Sequence, residues 1–112
     1  MKLLIDSNVL LDYLGANQGF NTEAGMIFEL AITRKAIELV SASSVTDIFY
    51  VLRRAFQDRE VALEKLKDIR TVIGILPVTE TDIDHAINRH WRDFEDAVQY
   101  SVAESNGVLP RC

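Results

Sequence analysis

The sequence contains almost no cysteine, because Cys112 is the only one and it is the last residue. A single cysteine excludes an intrachain disulfide and a cysteine-rich metal site, so nothing indicates an oxidising compartment. The sequence also lacks a basic segment followed by a signal-length apolar stretch, and no window approaches the roughly 18 apolar residues of a membrane span. These absences predict a cytoplasmic protein with no membrane segment.

Basic residues are also in the minority. Twelve Lys and Arg against seventeen Asp and Glu give a formal net charge of −5 at pH 7. This balance disfavours a broad electrostatic footprint on nucleic acid, although a local basic patch remains compatible with it. An acidic cluster that holds cations would contribute to the same imbalance.

The length and composition predict one globular domain over residues 1–112. Hydrophobic residues make up 48% and charged residues 26% of the chain, which is ordinary for a folded protein. A chain of 112 residues is near the common domain size and buries a substantial core.

Short apolar runs alternate with helical patterns along the chain. The predicted strands cover residues 3–5, 36–41 and 72–77. Periodicity and capping residues predict six helices, which begin near Val9, Asn21, Ser43 or Ser44, Asp58, Thr79 and Asp93. The order βααβααβαα is typical of an α/β fold, so we predict a parallel three-strand sheet flanked by helices.

The end of this order predicts an incomplete sheet. The last helix stops at Asn106 and Gly107, and a further strand should follow it in an α/β alternation. Residues 109–112 are too short and too interrupted by Pro110 to predict a strand there.

Three aspartates occupy equivalent places in the predicted order. Asp6 follows the first strand, Asp47 lies in the first turn after the second strand, and Asp96 lies in the first turn of the last helix. A carboxylate near a helix N-terminus caps free N–H groups and gains about 0.3–1 kcal/mol, so capping explains any one of them. Capping does not predict several carboxylates at one end of one sheet, where repulsion would offset these gains unless a cation binds.

Carboxylates that converge in this way indicate a site for a hard divalent cation. Mg²⁺ and Mn²⁺ prefer oxygen ligands and keep some of their water. Such a cation activates water against a phosphodiester and stabilises the leaving oxygen. The pattern therefore favours hydrolysis of nucleic acid.

Three segments carry a resemblance to a known family: LIDSNVLLD at residues 4–12, SSVTD at residues 43–47 and DFEDAVQY at residues 93–100. In this order they closely resemble PIN-domain proteins, especially the VapC-like ribonuclease toxins of bacterial toxin–antitoxin systems. The resemblance runs from Met1 to about Val108. The middle segment departs from the family, which more often has glutamate where this chain has Asp47.

The resemblance implies that Asp6, Asp47 and Asp96 are metal-binding catalytic acids, with Asn8 as a polar neighbour. It also implies RNA cleavage that depends on Mg²⁺ or Mn²⁺, a parallel sheet sandwiched by helices, frequent dimerisation and a protein antitoxin that occludes the site. Asp93, three residues before Asp96, is a further candidate neighbour of the metal.

Two arginines, Arg53 and Arg54, are candidate RNA contacts because they lie on or beside the polar faces of the third predicted helix. Exposed arginines that are simply solvated are the alternative interpretation.

The chain departs from the family after Asn106 and Gly107. Such proteins usually continue into a fourth strand and a further polar segment, and their first strand lies between the second and the fourth. Without a fourth strand, one edge of residues 3–5 would be unpaired and prone to association. We therefore expect a partner, a second copy or an altered packing to cover that edge.

Two other functions are compatible with the sequence. A catalytically degenerate, truncated PIN-like module would fold normally, cleave no RNA and act as an interaction partner. A phosphotransfer domain built on Asp6 is disfavoured, because haloacid-dehalogenase-like enzymes have a second aspartate where Asn8 stands. Receiver domains, in turn, need a lysine after a later strand, and none is evident.

Overall fold

A single parallel sheet organises the part of the chain that the computed structural model describes, which is residues 2–15, 29 and 33–111. Four strands of this part form the sheet: β1 (Lys2–Ile5), β2 (Ile37–Ser41), β3 (Ile73–Leu76) and β4 (Leu109–Arg111). Their spatial order is β3-β2-β1-β4, and every neighbouring pair is parallel. The predicted α/β architecture is confirmed, and β1 lies between β2 and β4.

The described helices cover both faces of the sheet. They are α1 (Ser7–Tyr13), α2 (Ala42–Phe56), α3 (Arg59–Ile69), α4 (Glu80–Arg89) and α5 (Phe94–Asn106). The helix predicted to begin near Asn21 lies outside the described residues. Within the described ranges, no helix is long and apolar enough to cross a membrane.

β1 is buried on both faces, which explains its continuous apolar sequence. Leu3 and Ile5 belong to a cluster with buried side chains of α1, α2 and α3, whereas Leu4 packs with Ala103 of α5 on the opposite face. The three β1 side chains are only 1–6% exposed. Each contributes about 1.5–3 kcal/mol relative to an exposed position, so β1 is fixed firmly in the centre of the sheet.

β4 corrects two expectations from the sequence. Leu3, Leu4 and Ile5 pair with Leu109, Pro110 and Arg111, so the chain itself provides the fourth strand. The prediction of an incomplete three-strand sheet was wrong on this point, and the second edge of β1 needs neither a partner nor a second copy to cover it. Pro110 is tolerated because β4 is an edge strand of the described sheet, where no described strand on its outer side requires a backbone N–H.

Helix caps account for most of the helix boundaries. Asp58 caps α3, Asp93 caps α5, and Thr79, the predicted start of α4, caps that helix in a capping box with Asp82. Gly107 ends α5 in the left-handed region at φ 64°. These local predictions are confirmed.

The cap of α2 differs from the prediction. Ser41, rather than Ser43 or Ser44, is the N-cap, and its side chain accepts a hydrogen bond from the Ser44 N–H. β2 therefore runs directly into α2 with no loop between them. Asp47 consequently lies in the second turn of α2, one turn later than the sequence predicts.

Candidate functional site

A cleft of about 460 Å³ lies just beyond the carboxyl end of β1, between α1, α2 and the first turn of α5. Ligands in parallel α/β sheets bind at this edge, beyond the carboxyl ends of the strands. Its lining includes five carboxylates from three separate segments of the chain, namely Asp6, Asp47, Asp93, Glu95 and Asp96. The fold thus brings together the three aspartates that the sequence singled out, and it adds two more acids.

Asp6 both caps α1 and lines the cleft. It follows β1 directly, and its Oδ1 accepts a hydrogen bond from the Asn8 backbone N–H at 3.2 Å. The capping interpretation is therefore correct, but it does not compete with a role in the cleft. Asn8, predicted as a polar neighbour, lines the same cleft.

Asp96 is held by the cap of its own helix. The Asp93 side chain accepts a hydrogen bond from the Asp96 backbone N–H at 3.1 Å, which fixes the first turn of α5. Partial desolvation, followed by repulsion from Asp93 and Asp6, raises the pKa of Asp96 above its ordinary value. Segments that are far apart in sequence therefore affect each other's ionisation at this cleft.

Glu95 is a cleft residue that the sequence interpretation missed. Partial desolvation and repulsion from four aspartates raise the pKa of Glu95 above its ordinary value. In order of decreasing effect, these are Asp47, Asp93, Asp6 and Asp96. The available signal was its place beside Asp96 in the first turn of α5, where a second acid also gains from the helix dipole.

The two candidate RNA-binding arginines differ in position. Arg54 lines the cleft, whereas Arg53 is absent from the lining that the structure describes. Tyr50, which the sequence interpretation did not select, also lines the cleft. Asp47, Tyr50 and Arg54 follow one another at helical spacing, so they share a face of α2.

The donor chemistry of the cleft fits a hard divalent cation. All five acids offer only oxygen ligands, which Mg²⁺ and Mn²⁺ prefer. Desolvation and, after it, repulsion between the acids raise the pKa values of Glu95 and Asp96, and a bound cation would relieve the repulsion. Across residues 2–15, 29 and 33–111, no three Asp, Glu, His or Cys side chains are already spaced to hold an ion. The cleft therefore has the ligand chemistry of a metal site without a preformed cage.

Comparisons with known proteins agree with this fold and cleft. A family model described as PIN domain matches residues 2–109. Ribonuclease VapC1 of Aquifex aeolicus (strain VF5) is 24% identical over 111 residues, which cover 95% of this chain and 76% of that protein. The crystal structure of Mycobacterium tuberculosis VapC20, described as a sarcin–ricin loop cleaving toxin, superposes with a TM-score of 0.68. That comparison covers 95% of this chain and 84% of the other at 21% identity, so it concerns the fold.

The family match spans almost all of the chain, and the solved structure has the same fold over nearly the same length. The resemblance predicted from three short segments is thereby confirmed. This chain belongs to the PIN-domain family and is similar to its VapC-type toxins.

Proposed function

We propose that this protein is a ribonuclease toxin of the VapC type that cleaves RNA phosphodiester bonds with Mg²⁺ or Mn²⁺. One observation carries the proposal: five carboxylates from three separate segments line a single cleft at the carboxyl end of the sheet. The family match and the similarity to ribonuclease VapC1 support it.

In this proposal, Asp6, Asp47 and Asp96 hold the cation. When bound, the cation supplies activation of a water molecule and neutralises charge that develops on the phosphodiester. Asn8 and Asp93 are neighbours of that site, and Asp93 also fixes Asp96 through the cap of α5. Glu95 adds negative charge beside the three acids and thereby favours cation binding.

The proposal includes partners as well as a substrate. A toxin of this type needs a protein antitoxin, and we place the antitoxin over the cleft, where it would occlude the acids. We also propose that the protein self-associates and is cytoplasmic. Size-exclusion chromatography with light scattering tests the self-association.

Cleavage of an RNA pool by the purified protein tests the enzyme proposal. The wild type should cleave RNA in Mg²⁺ or Mn²⁺ and stop when EDTA is added. Asp6→Asn should lower the rate by about a hundredfold or more, because it removes a charged ligand of the cation that stabilises the developing charge. Asparagine caps helices as well as aspartate does, so this variant keeps α1 and removes only the charge.

Asp84→Asn is the matched control, because Asp84 is an exposed aspartate of α4 outside the cleft lining. It should cleave RNA at the wild-type rate. If neither the wild type nor Asp84→Asn cleaves any RNA in either metal, and both fold like Asp6→Asn, the chain is a catalytically inactive interaction module instead.

A further inference from the structure

One face of α2 carries an acid of the cleft and, farther along the helix, an aromatic and a cationic side chain. Asp47, Tyr50, Val51 and Arg54 are spaced by three, four and seven residues, and all four line the cleft. Residues at this spacing lie above one another on a helix, with Cβ atoms about 5–6 Å apart for the closest pairs. Tyr50 and Arg54 therefore form neighbouring parts of the wall that begins with Asp47.

Tyr50 presents an aromatic ring to solvent at the cleft. Its side chain is 56% exposed although tyrosine carries a large apolar ring. Phe49, which packs against the hydrophobic core, meets the Tyr50 ring edge-on with 5.5 Å between ring centroids and 72° between the planes. The Tyr50 ring therefore contacts a side chain that is packed against the core, while much of the surface of Tyr50 is exposed to solvent.

Arg54 is the one cationic side chain in the described lining of a cleft that contains five carboxylates. The ion pairs found within the described residues are Arg59–Glu60 and Arg89–Glu104, so no cleft acid forms a direct ion pair with Arg54 there. A phosphate that enters this cleft is repelled by the acids and attracted by Arg54. A guanidinium binds phosphate through paired N–H donors and keeps its charge at every relevant pH.

We propose that Tyr50 and Arg54 bind one nucleotide of the RNA substrate, with Tyr50 stacked on an unpaired base and Arg54 on the adjoining phosphate. This inference rests on the proposed ribonuclease function and assigns its substrate subsite. A base inside a duplex has both faces covered by its neighbours, so a stacking ring selects single-stranded or looped RNA. The subsite places that nucleotide next to Asp47 and therefore next to the cleaving acids.

Binding of fluorescein-labelled RNA, measured by fluorescence anisotropy in Mg²⁺, tests the subsite. All variants are compared in the full-length Asp6→Asn background, so that cleavage does not interfere. Tyr50→Leu should bind a single-stranded oligonucleotide of one fixed sequence about tenfold more weakly, as expected when one stacking platform is lost. Tyr50→Phe should restore binding because it keeps the ring. If Tyr50→Leu binds as tightly as the background protein, the stacking role is wrong.

Arg53→Ala is the matched control for Arg54→Ala, because it removes the same charge from the adjacent residue of the same helix outside the described lining. Arg54→Ala should weaken binding more than Arg53→Ala and should reduce the slope of log affinity against log salt by about one. Equal weakening by the two variants would mean that charge acts diffusely, which would overturn the role of Arg54.

RNA without bases separates stacking on a base from any other effect of replacing Tyr50. An abasic oligonucleotide of the same length keeps the phosphates and should lose the contribution of Tyr50, so Tyr50→Leu should not weaken its binding further. If Tyr50→Leu weakens abasic and intact RNA equally, the ring does not stack on a base and the inference is wrong. A duplex of the same sequence should bind more weakly than the single strand, and tighter duplex binding would also contradict the subsite.

Failure of the subsite and failure of the ribonuclease proposal remain distinguishable. If the wild type cleaves RNA and Tyr50→Leu and Arg54→Ala leave KM unchanged, the subsite is wrong and the ribonuclease proposal stands. If the protein binds RNA through Tyr50 and Arg54 and cleaves none, the subsite stands and the ribonuclease proposal is wrong.

Discussion

Gln99 donates a hydrogen bond from Nε2 to Ser41 Oγ at 2.8 Å, although the two residues are 58 positions apart in the sequence. The same Nε2 reaches Ser44 Oγ at 2.5 Å, and both serine side chains are buried. Ser41 caps α2, and Ser44 precedes Asp47 by three residues on that helix. Gln99 follows Asp96 by three residues on α5. This contact therefore ties together the two helices that carry Asp47 and Asp96.

Gln99→Met keeps the length of the side chain and removes the amide. The free energy of unfolding should fall by about 1–2 kcal/mol, because the hydrogen bonds from Gln99 are lost at a part-buried position. Affinity for Mn²⁺ should fall as well, since α5 and α2 would no longer be joined at their starts. Urea denaturation measures the first effect and isothermal calorimetry the second.

Ser43→Ala is the control for Gln99→Met. Ser43 also contacts Ser41, with 3.1 Å between the two Oγ atoms, but its side chain is exposed. Its loss should change the free energy of unfolding by less than about 0.5 kcal/mol. Wild-type stability and wild-type Mn²⁺ affinity in Gln99→Met would show that this contact does not position the acids.

Contacts of this kind explain which parts of the fold the sequence predicts. Caps such as Asp58 and the Thr79–Asp82 capping box depend only on residues within one helical turn, so the residue types in that turn predict the cap. β4 depends on pairing with β1, more than a hundred residues earlier in the chain, and a short segment with a proline carries no local signal of that pairing. The prediction of a parallel sheet was therefore correct, but the predicted sheet lacked the fourth strand.

The candidate site likewise has one part that local sequence predicts and another that depends on tertiary packing. Asp6 and Asp96 follow a strand end and a helix start, and parallel topology alone brings such positions to one edge. Helical periodicity separates the apolar stripe of α2 from its polar faces, but Arg53 and Arg54 both lie outside that stripe. Arg54 lies seven residues after Asp47, so helical spacing alone places it on the face of α2 that carries this acid. The position of α5, which adds three more acids to the cleft, is a tertiary property that no local pattern predicts.

Asp82→Ala should be among the more destabilising single substitutions of a polar residue. Asp82 is 1% exposed, and its carboxylate accepts from the Thr79 N–H at 3.0 Å and from Ser105 Oγ at 2.6 Å. It therefore caps α4 and joins α4 to the end of α5. Loss of the cap and of a buried hydrogen bond should lower the free energy of unfolding by roughly 2–4 kcal/mol, measurable by urea denaturation.

The control for Asp82→Ala is Asp84→Ala, an exposed position of the same helix, which should change stability by less than about 0.5 kcal/mol. Burial acts to raise the pKa of Asp82, but hydrogen bonds from Ser105 and Thr79 outweigh it and lower the pKa below its ordinary value of 3.8. The charged form therefore stabilises the fold above pH 3.8, and this contribution is lost as pH falls through the lowered pKa. An equal effect of the two substitutions would contradict the assignment.

Glu95→Gln should stabilise the protein at neutral pH in the absence of divalent metal. The pKa of Glu95 is raised above its ordinary value of 4.5, so the folded state holds its proton more tightly than the unfolded state does. Its contribution to stability is therefore fully present below pH 4.5 and is lost as pH rises through the raised pKa. Glu95→Gln removes that loss, so its advantage over the wild type should be larger at pH 7 than at pH 4.

Denaturation of Glu95→Gln in EDTA at the two pH values measures this difference, with Glu64→Gln as the control. Glu64 is an exposed acid of α3 outside the cleft, so its replacement changes the net charge equally without touching the acids. A stabilisation at pH 7 that is the same in both variants would arise from net charge and would exclude repulsion within the cleft as its cause.

Mn²⁺ should raise the melting temperature, because a cation that binds only the folded protein shifts the unfolding equilibrium. At a hundred times its Kd, such a ligand contributes about 2.7 kcal/mol. For a domain of this size that corresponds to a rise of roughly 10 °C. The rise should be smaller at pH 4.5 than at pH 7, because protons compete for carboxylates whose pKa values are raised.

Calorimetric melting in Mn²⁺ and in EDTA measures that rise, and Asp6→Asn and Asp84→Asn separate the cleft from the rest of the surface. Asp6→Asn should lose most of the rise although asparagine still caps α1, whereas Asp84→Asn should keep it. An equal rise in all three proteins would mean that Mn²⁺ binds elsewhere. Because this measurement needs no RNA, it tests whether Asp6 and its neighbouring acids bind a cation independently of whether the protein cleaves any substrate.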